Sequence, residues 1–225
     1  MRFKVNDHFF KKAKKENFLA RSVYKLEEID KKYRIISSNA YIVDLGYFPG
    51  SWIQYSLSKI GKNGLIVGVD IQEINQQLQS HPQVHLFKKS IEEIDSIIGD
   101  IFGIVANLAA QTGKSTTDKN FNSNTKFNGM FDVILSDMAP KTTGIKIVDQ
   151  ENSLNLVKTA FSLAPTLLAR GGNLVVKVFE SQSAQNFLKV QKIHFKESHF
   201  LRPASTRSCS KEYFFIGKGY IPQLD

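Results

Sequence analysis

Short apolar runs alternate with segments of helical periodicity along most of the chain. Each run has the length and the β-branched or aromatic content of a buried strand. The runs occupy residues 41–45, 65–70, 84–87, 131–135, 173–179, 194–201 and 212–217. Strands that alternate with helices are typical of an α/β fold built on one sheet, so that is the fold class we expect.

Four segments carry helical spacing, and some of their ends carry capping signals. These segments span residues 19–33, 52–60, 150–168 and 183–190. Ser90 stands three residues before Glu93, which predicts an N-cap and the start of a further helix. Gly171 and Gly172 predict the end of the longest helix, in which Pro165 marks a kink.

The first 32 residues form the most basic part of the chain, with ten Lys and Arg residues against five Asp and Glu residues. An apolar stripe predicts a helix that packs on the core and turns its basic flank outward. The stripe consists of Leu19, Val23, Leu26, Ile29 and Tyr33. We expect a basic helical extension over residues 1–34 and a main domain over residues 35–225. A flexible polar insertion is expected at residues 111–128 of that domain.

The stretch at residues 41–52 is a buried strand that carries an acid, Asp44, and breaks into a glycine turn. In α/β sheets small molecules bind at this carboxyl edge, because backbone amides and the next helix N-terminus converge there. The spacing of Gly46 and Gly50 fits neither the Gly-x-Gly-x-x-Gly dinucleotide motif nor a phosphate loop. A carboxylate would also repel a phosphate, so the expected ligand is neutral or cationic. An ordinary strand-turn-helix junction explains the stretch equally well.

Two further acids follow predicted strands. Asp70, at the tip of the second strand, is placed to accept hydrogen bonds from a ribose diol. Asp137 follows the fourth strand, where the turn at Pro140 would hold it facing the same crevice. Together with Asp44 these acids favour a nucleoside-containing cofactor.

Two lysines are candidates for chemistry. Lys177 is embedded in an apolar strand, where a charge is expensive to bury unless it faces a site or a partner. Lys25 lies beside the apolar stripe of the N-terminal helix and could lean over the crevice, although a lone lysine is more typical of a solvated surface. The loop at residues 202–208 is basic and rich in hydroxyls, which suits phosphate contacts, but an ordinary polar turn accounts for it as well.

The formal net charge of +9 points to a polyanionic partner, nucleic acid before membrane. A protein can also be basic without such a partner. Cys209 is the only cysteine, which excludes intramolecular disulfides and cysteine-rich zinc sites. The histidines share no ligand spacing with carboxylates, so no metal site is expected. No stretch approaches the apolar length of a membrane span or a signal peptide.

Taken in order, these motifs resemble the FtsJ/RrmJ family of S-adenosylmethionine-dependent RNA ribose 2′-O-methyltransferases over nearly the whole chain. The residues that carry the resemblance are Tyr24-Lys25-Leu26-Glu27-Glu28-Ile29, Val43-Asp44-Leu45-Gly46, Pro49-Gly50, Trp52-Ile53-Gln54, Ser136-Asp137-Met138-Ala139-Pro140, Val175-Val176-Lys177-Val178-Phe179 and Ser208-Cys209-Ser210-Lys211-Glu212-Tyr213. The resemblance implies a single Rossmann-like methyltransferase domain, with a mostly parallel seven-stranded sheet and helices on both faces.

The resemblance also implies a catalytic tetrad of Lys25, Asp137, Lys177 and Glu212, with S-adenosylmethionine as the cofactor. A ribose 2′-hydroxyl is a poor nucleophile, so its proton must leave as the oxygen attacks the methyl carbon. Lys177 can take or share that proton if burial and Lys25 favour its neutral form, while Asp137 and Glu212 act oppositely and orient it. The expected cofactor-binding residues are Asp44, Gly46, Pro49, Gly50, Ser51, Trp52, Asp70, Ile71, Ser90, Ile91 and Asp137.

The expected activity is methyl transfer to a ribose 2′-hydroxyl of RNA. Large-subunit ribosomal RNA or a ribosomal subunit is the expected partner, because the chain is compact and lacks the appended domains of several relatives. The alternatives are transfer RNA as the substrate, or an RNA-binding or ribosome-assembly protein that kept the fold and lost catalysis. A dinucleotide-dependent oxidoreductase is disfavoured by the missing glycine motif. We expect a monomer in the cytoplasm or in an organelle. The expected RNA-binding residues are Lys11, Lys12, Lys14, Lys15, Arg21, Arg202, Ser205 and Arg207.

Several positions depart from the family pattern. Tyr47 and Phe48 stand in a loop that relatives usually fill with small residues, and Ser90 replaces an adenine-contacting Asp. Cys209 and Leu19 each replace an Arg, so fewer RNA contacts are expected. The aromatic loop and Ser90 motivate the non-catalytic alternative, and the intact tetrad weighs against it.

Overall fold

The apolar runs of the sequence form one seven-stranded sheet in the computed structural model, which describes residues 8–112, 129–207 and 209–222. The strands are β1 (Tyr41–Leu45), β2 (Leu65–Asp70), β3 (Val84–Lys88), β4 (Phe131–Ser136), β5 (Leu168–Phe179), β6 (Phe195–Leu201) and β7 (Glu212–Tyr220). Their order is β3-β2-β1-β4-β5-β7-β6, and β7 runs antiparallel to both of its neighbours. The predicted mostly parallel sheet is confirmed.

Helices cover both faces of this sheet. They are α1 (His8–Lys15), α2 (Val23–Tyr33), α3 (Ser51–Leu57), α4 (Gln76–Gln79), α5 (Ile98–Thr112), α6 (Lys146–Ser162), α7 (Ala164–Leu167) and α8 (Gln182–Gln191), with 3₁₀ helices at Ile91–Ser96 and Lys192–His194. Because side chains alternate along a strand, Val43 of β1 packs into a core with α5 and α6, and Ile42 packs into a second core with α2 and α3. Within the described ranges, no helix has the length and apolar character needed to cross a membrane.

The predicted end of the long helix at Gly171 and Gly172 is wrong. Helix α6 ends at Ser162, and Pro165 lies in the first turn of the separate helix α7, where its missing N–H costs no hydrogen bond. Both glycines lie inside β5. Between two successive residue pairs of β4 and β5, β4 has one unpaired residue and β5 has four, so β5 bulges out of the ladder there. Gly171 adopts a φ of 83°, as such a bulge requires. The glycines therefore mark an irregular strand and not a helix end.

The region after β3 also differs from the prediction. Ser90 is an N-cap, but its hydroxyl accepts a hydrogen bond from Glu92 N at 3.3 Å and begins a 3₁₀ helix, so the capping box with Glu93 does not form. Helix α5 was not predicted, although its apolar residues recur at helical spacing. Gln111 belongs to the last turn of α5, and residues 113–128 of the predicted insertion lie outside the described residues.

Residues 8–34, the described part of the N-terminal extension, contain two helices where one was predicted. The stripe residues Val23, Leu26 and Ile29 are buried in α2, as expected. Leu19 is 38% exposed and lies in the turn between α1 and α2, so it does not belong to the stripe. The extension is therefore a basic outer helix joined to an inner helix that packs on the core.

Hydrogen bonds tie the start of α2 to α3, the helix that follows the glycine turn. Trp52 Nε1 donates to Ser22 O at 2.8 Å, and the hydroxyls of Ser22 and Ser51 share a hydrogen bond at 2.8 Å. Lys25 lies one turn further along α2. Since Trp52 and Ser51 are themselves buried, these bonds fix Lys25 relative to the glycine turn.

We expect Gln54→Ala to loosen the extension without unfolding the domain. Leu19 N donates to Gln54 Oε1 at 2.8 Å, and Gln54 Nε2 donates to Asn17 O at 3.1 Å. Two such bonds stabilise the closed position of the extension by about 1–2 kcal/mol. Their loss should let trypsin cleave between α1 and α2 about 5- to 30-fold faster. Mass spectrometry of a digestion time course measures the rate. The control Gln182→Ala removes only a bond to Asn186 on α8 and should leave the rate unchanged. An unchanged rate for Gln54→Ala would mean that packing alone holds the extension.

Candidate active site

Four charged side chains from four elements meet at the carboxyl edge of the parallel strands. Lys25 comes from α2, Asp137 follows β4, Lys177 lies near the end of β5, and Glu212 begins β7. Strands β4, β5 and β7 are neighbours in the sheet. The topology therefore brings together residues that are up to 187 positions apart in the sequence. We call these four residues the charged tetrad.

The charged tetrad alternates cations and anions. Lys25 Nζ lies 2.5 Å from Glu212 Oε1 and 3.7 Å from Asp137 Oδ1. Lys177 Nζ lies 3.1 Å from the same Asp137 oxygen and donates a hydrogen bond to Asp137 O. The Asp137 oxygen reaches both ammonium groups at ion-pair distance but lacks hydrogen-bond geometry with either. The four side chains are only 7 to 18% exposed, so weak solvent screening makes these interactions strong.

Glu212 is a charged anchor in this arrangement. Burial favours its neutral form, but the attraction of Lys25 and then of Lys177 outweighs burial and holds the pKa of Glu212 below its ordinary value. Glu212 is therefore ionised at neutral pH. The ammonium of Lys25 also lies 5.7 Å from the centre of the Phe214 ring, which limits its movement further.

A cavity of about 580 Å³ lies beside the charged tetrad, at the ends of β1, β2, β3 and β4; we call it the strand-end cavity. Its walls include apolar side chains that were not predicted from the sequence, among them Met138 and Leu156. Asp137 belongs both to this lining and to the charged tetrad. The predicted cofactor residues that line the cavity are Gly46, Asp70, Ile71, Ser90, Ile91 and Asp137.

Backbone amides hold the carboxylate of Asp70 at the edge of the strand-end cavity. Its Oδ2 accepts a hydrogen bond from Phe48 N at 2.9 Å, and its Oδ1 accepts one from Gln72 N at 2.8 Å. Each carboxylate oxygen keeps a further lone pair. A ribose diol in the cavity could therefore donate to Asp70 without disturbing the loop.

Asp44 is a buried acid with an unsatisfied oxygen. It is 1% exposed, and its Oδ2 has no hydrogen-bond partner in the described part of the chain. Burial, and then repulsion from Asp137 and Asp70, raise the pKa of Asp44 well above its ordinary value. A cationic ligand nearby would offset the cost of burying a charge on Asp44. The three carboxylates therefore fit the positively charged sulfonium and amino groups of S-adenosylmethionine.

Five of the predicted cofactor residues do not line the cavity. They are Asp44, Pro49, Gly50, Ser51 and Trp52. Trp52 packs against Phe214 with ring centres 5.8 Å apart, and Leu78 fills the space where a side chain at Gly50 would lie. Trp52 and Gly50 therefore pack against neighbouring side chains, which a motif in the sequence cannot distinguish from direct contact with a ligand.

The two unusual aromatic residues of this loop have different positions. Tyr47 is buried behind β2, and its ring occupies the space that a side chain at Gly68 would fill. Phe48 is 49% exposed and lines the strand-end cavity. The glycine at position 68 thus makes room for Tyr47, and the cavity stays open.

The predicted RNA-binding residues occupy two regions. Lys11, Lys14 and Lys15 are exposed on α1, whereas the ammonium of Lys12 lies 4.3 Å from the centre of the Tyr24 ring. In the loop after β6, backbone oxygens accept hydrogen bonds from two arginines. Arg21, from the turn before α2, donates to Ser205 O, and Arg202 donates to Ser210 O at 2.5 Å and to Arg207 O at 3.5 Å. Ser205 is 1% exposed, which contradicts its predicted contact with RNA.

No group of three or more His, Cys, Asp or Glu side chains that could hold a metal ion was found among residues 8–112, 129–207 and 209–222. The acids of the charged tetrad are paired with lysines, which occupy the positions that a cation would take. The chemistry of this edge is therefore that of ammonium and carboxylate groups.

Comparison with known proteins gives concordant matches. A family model described as FtsJ-like methyltransferase matches residues 18–220. A relative from Oleidesulfovibrio alaskensis, named ribosomal RNA large subunit methyltransferase E, is 37% identical over 96% of this chain and 93% of its own length. A solved ribosomal RNA methyltransferase from Plasmodium falciparum has a TM-score of 0.70 at 25% identity, covering 92% of this chain and all of that chain. Fibrillarin from Aeropyrum pernix, solved with natively bound S-adenosyl-L-methionine, has a TM-score of 0.57 at 12% identity, covering 87% of this chain and 76% of that chain.

We expect Asp44→Asn to stabilise the ligand-free protein at neutral pH. Because the folded-state pKa of Asp44 lies above its unfolded value, the free energy of unfolding falls as the pH rises through the window between the two values. A side chain that cannot ionise should raise the free energy of unfolding at about pH 7 and flatten that fall. Urea unfolding over a pH series measures both effects. The exposed control Asp95→Asn should change neither, and an identical pH dependence for Asp44→Asn and wild type would mean that folded Asp44 is charged.

Proposed function

Because the chain belongs to the FtsJ-like methyltransferase family, we propose that it transfers the methyl group of S-adenosylmethionine to a ribose 2′-hydroxyl of large-subunit ribosomal RNA. One observation carries the proposal: Asp137 is shared between the strand-end cavity and the charged tetrad. A cofactor in that cavity would therefore lie beside the ion pairs that Asp137 makes with Lys177 and Lys25.

The residues of the charged tetrad suit an in-line displacement. S-adenosylmethionine, when bound, supplies an electrophilic methyl group on a positively charged sulfur. A ribose oxygen beside Lys177 would take this methyl group as the carbon–sulfur bond breaks, and neutral S-adenosylhomocysteine would leave. Lys177, in its deprotonated form, accepts the hydroxyl proton and later releases it to solvent. General-base help of this kind contributes about 10²–10⁴-fold, and holding the two reacting atoms close together contributes more.

The other three residues of the charged tetrad position that lysine. Asp137 holds Lys177 through its carboxylate and its backbone oxygen. Glu212 holds Lys25 through an ion pair. Lys25 is thus placed to attract the oxygen as negative charge develops on it.

Large-subunit ribosomal RNA is supported as the substrate by the name of the relative that matches almost the whole chain. The net charge of +9 and the exposed lysines of α1 suit a large polyanion. Transfer RNA is the alternative substrate, and a direct comparison of the two RNAs decides between them. A monomer in the cytoplasm remains our prediction.

A protein that binds RNA without catalysis is the second candidate, motivated by Tyr47, Phe48 and Ser90. The burial of Tyr47 against Gly68 weakens this candidate, because the cavity keeps a volume of about 580 Å³. Calorimetry separates the two functions, since a catalyst must bind S-adenosylmethionine. Absence of binding would favour the non-catalytic function.

We expect Lys177→Ala to lower kcat by about 10²–10⁴-fold, because it removes the group that accepts the hydroxyl proton. The Kd for S-adenosylmethionine should change little. The measurement is transfer of a radiolabelled methyl group to large ribosomal subunits and, separately, to transfer RNA, with circular dichroism as a check of folding. The exposed control Lys189→Ala on α8 should transfer at the wild-type rate. Undiminished transfer by Lys177→Ala would remove this lysine from the mechanism.

We expect Lys14→Gln and Lys15→Gln to weaken RNA binding, because neither variant side chain can neutralise a phosphate. The dependence of the logarithm of affinity on the logarithm of salt concentration should become shallower by about 0.7–0.9 for each phosphate that is no longer neutralised, as measured by filter binding. Lys62→Gln is a matched control. Lys62 is exposed in the turn before β2, at the amino ends of the parallel strands, whereas the charged tetrad lies at their carboxyl ends. Equal salt slopes for all three variants would mean that α1 does not contact the RNA backbone.

A further inference from the structure

A second cleft, of about 360 Å³, opens at the ends of β5 and β7; we call it the β5–β7 cleft. Phe179 and Glu180 line it at the end of β5, and Cys209 and Lys211 line it just before β7. Lys146, at the start of α6, lies opposite them. Neither the cofactor nor the proton transfer described above uses this cleft.

The order of the strands places the charged tetrad between the two openings. The strand-end cavity lies at the ends of β1, β2, β3 and β4, and the β5–β7 cleft lies at the ends of β5 and β7. Asp137, Lys177 and Glu212 follow or occupy β4, β5 and β7. A molecule in the β5–β7 cleft would therefore approach the charged tetrad from the side opposite the cofactor.

Phe179 directly adjoins the charged tetrad. It lies two residues after Lys177 on β5, so the two side chains share one face of the sheet. Phe179 also pairs in register with Glu212 across the antiparallel ladder, which puts those two side chains next to each other. Phe179 is therefore the next residue after Lys177 on that face of β5, and Lys177 is the residue proposed to accept the proton.

The chemistry of the β5–β7 cleft matches a nucleotide. The partly exposed ring of Phe179 offers a stacking surface, and the exposed ammonium groups of Lys146 and Lys211 can contact phosphates. The carboxylate of Glu180 is exposed and accepts hydrogen bonds only, so it suits the N–H groups of a base. A base, a ribose and a phosphate each have a complementary group here.

Hydrogen bonds hold the cleft open before any ligand arrives. Gln150 Nε2 donates to Glu180 O, which ties α6 to the end of β5. Asp149 accepts from Thr143 N at 2.6 Å and from Gly144 N at 3.2 Å, which fixes the loop before α6. Preformed walls reduce the ordering cost of binding.

We propose that the β5–β7 cleft binds the acceptor nucleotide, with its base stacked on Phe179 and its phosphate near Lys146 and Lys211. This inference rests on the proposed function, because it assigns the side from which the ribose approaches Lys177. A groove beside α2, lined by Glu27, Glu28 and three lysines, is a poorer candidate, since Asp137, Lys177 and Glu212 are not among its lining residues.

Substitution of Phe179 tests the stacking. We expect Phe179→Leu to raise the KM for RNA about tenfold and to leave the Kd for S-adenosylmethionine unchanged. Phe179→Tyr keeps the aromatic face, so its KM for RNA should stay within about twofold of the wild-type value. Phe200→Leu changes an exposed phenylalanine on β6 that does not line the cleft and should leave the KM unchanged. An unchanged KM for Phe179→Leu, or an equal rise for Phe179→Tyr, would overturn the stacking role.

Alkylation of Cys209 tests occupancy of the cleft directly. Cys209 is the only cysteine of the chain, is exposed, and lines the cleft, so iodoacetamide reports on this place alone. The probes are the four ribonucleoside 5′-monophosphates, each with saturating S-adenosylhomocysteine to fill the strand-end cavity. We expect at least one of them to slow the alkylation several-fold, and Phe179→Leu to abolish that protection.

The outcomes separate this inference from the proposed function. If wild-type protein methylates RNA but no mononucleotide slows alkylation of Cys209, the assignment of the cleft is wrong and the proposed function stands. If a mononucleotide protects Cys209 but no RNA is methylated, the nucleotide site stands and the proposed function fails. Protection that survives Phe179→Leu would place the nucleotide elsewhere on the loop before β7.

Discussion

The charged tetrad is the constraint on which the rest of the site depends. Burying an isolated ammonium or carboxylate is costly, and removing one partner of a buried pair leaves an uncompensated charge. Here two lysines and two acids alternate, so each charge has an opposite neighbour. The arrangement holds only if α2, β4, β5 and β7 keep their relative positions, and the hydrogen bonds of Trp52 and Ser51 to Ser22 serve that requirement.

The two openings beside the charged tetrad offer different charged groups to a ligand. Asp70 and Asp137 line the strand-end cavity, and Asp44 is buried on β1, which together suit a positively charged methyl donor. Lys146 and Lys211 line the β5–β7 cleft beside Asp149 and Glu180, and the two lysines suit a phosphate. The same sheet edge can thus bring a cation and a polyanion together, with the charged tetrad between them as the boundary.

Local packing accommodates the residues that depart from the family pattern. Tyr47 takes the space left by Gly68, so an aromatic residue in the glycine turn leaves the cavity open. Ser90 lines the cavity, and its hydroxyl is already engaged as the cap of a 3₁₀ helix. Altered residues near a site therefore need not alter its shape when a neighbour compensates.

The sequence by itself determined the class of fold and the place of the site. Parallel strands bring their carboxyl ends to one edge, so Asp44, Asp70 and Asp137 had to converge once the strands were recognised. Membership of the charged tetrad came from the resemblance of motifs, since Lys25 and Glu212 carry no distinguishing pattern of their own. Helix α5, the bulge of β5 and the burial of Ser205 were not predicted.

Only the tertiary structure decided which residues touch the ligand spaces. Trp52 and Ser51 belong to the same motif as Gly46, yet they are buried, because the first turn of α3 packs against the start of α2. Leu156 reaches the strand-end cavity from α6, and Phe179 reaches the β5–β7 cleft through its pairing with Glu212. Such contacts join residues far apart in the chain, so local periodicity cannot reveal them, whereas it does reveal the strands and helices that make the contacts possible.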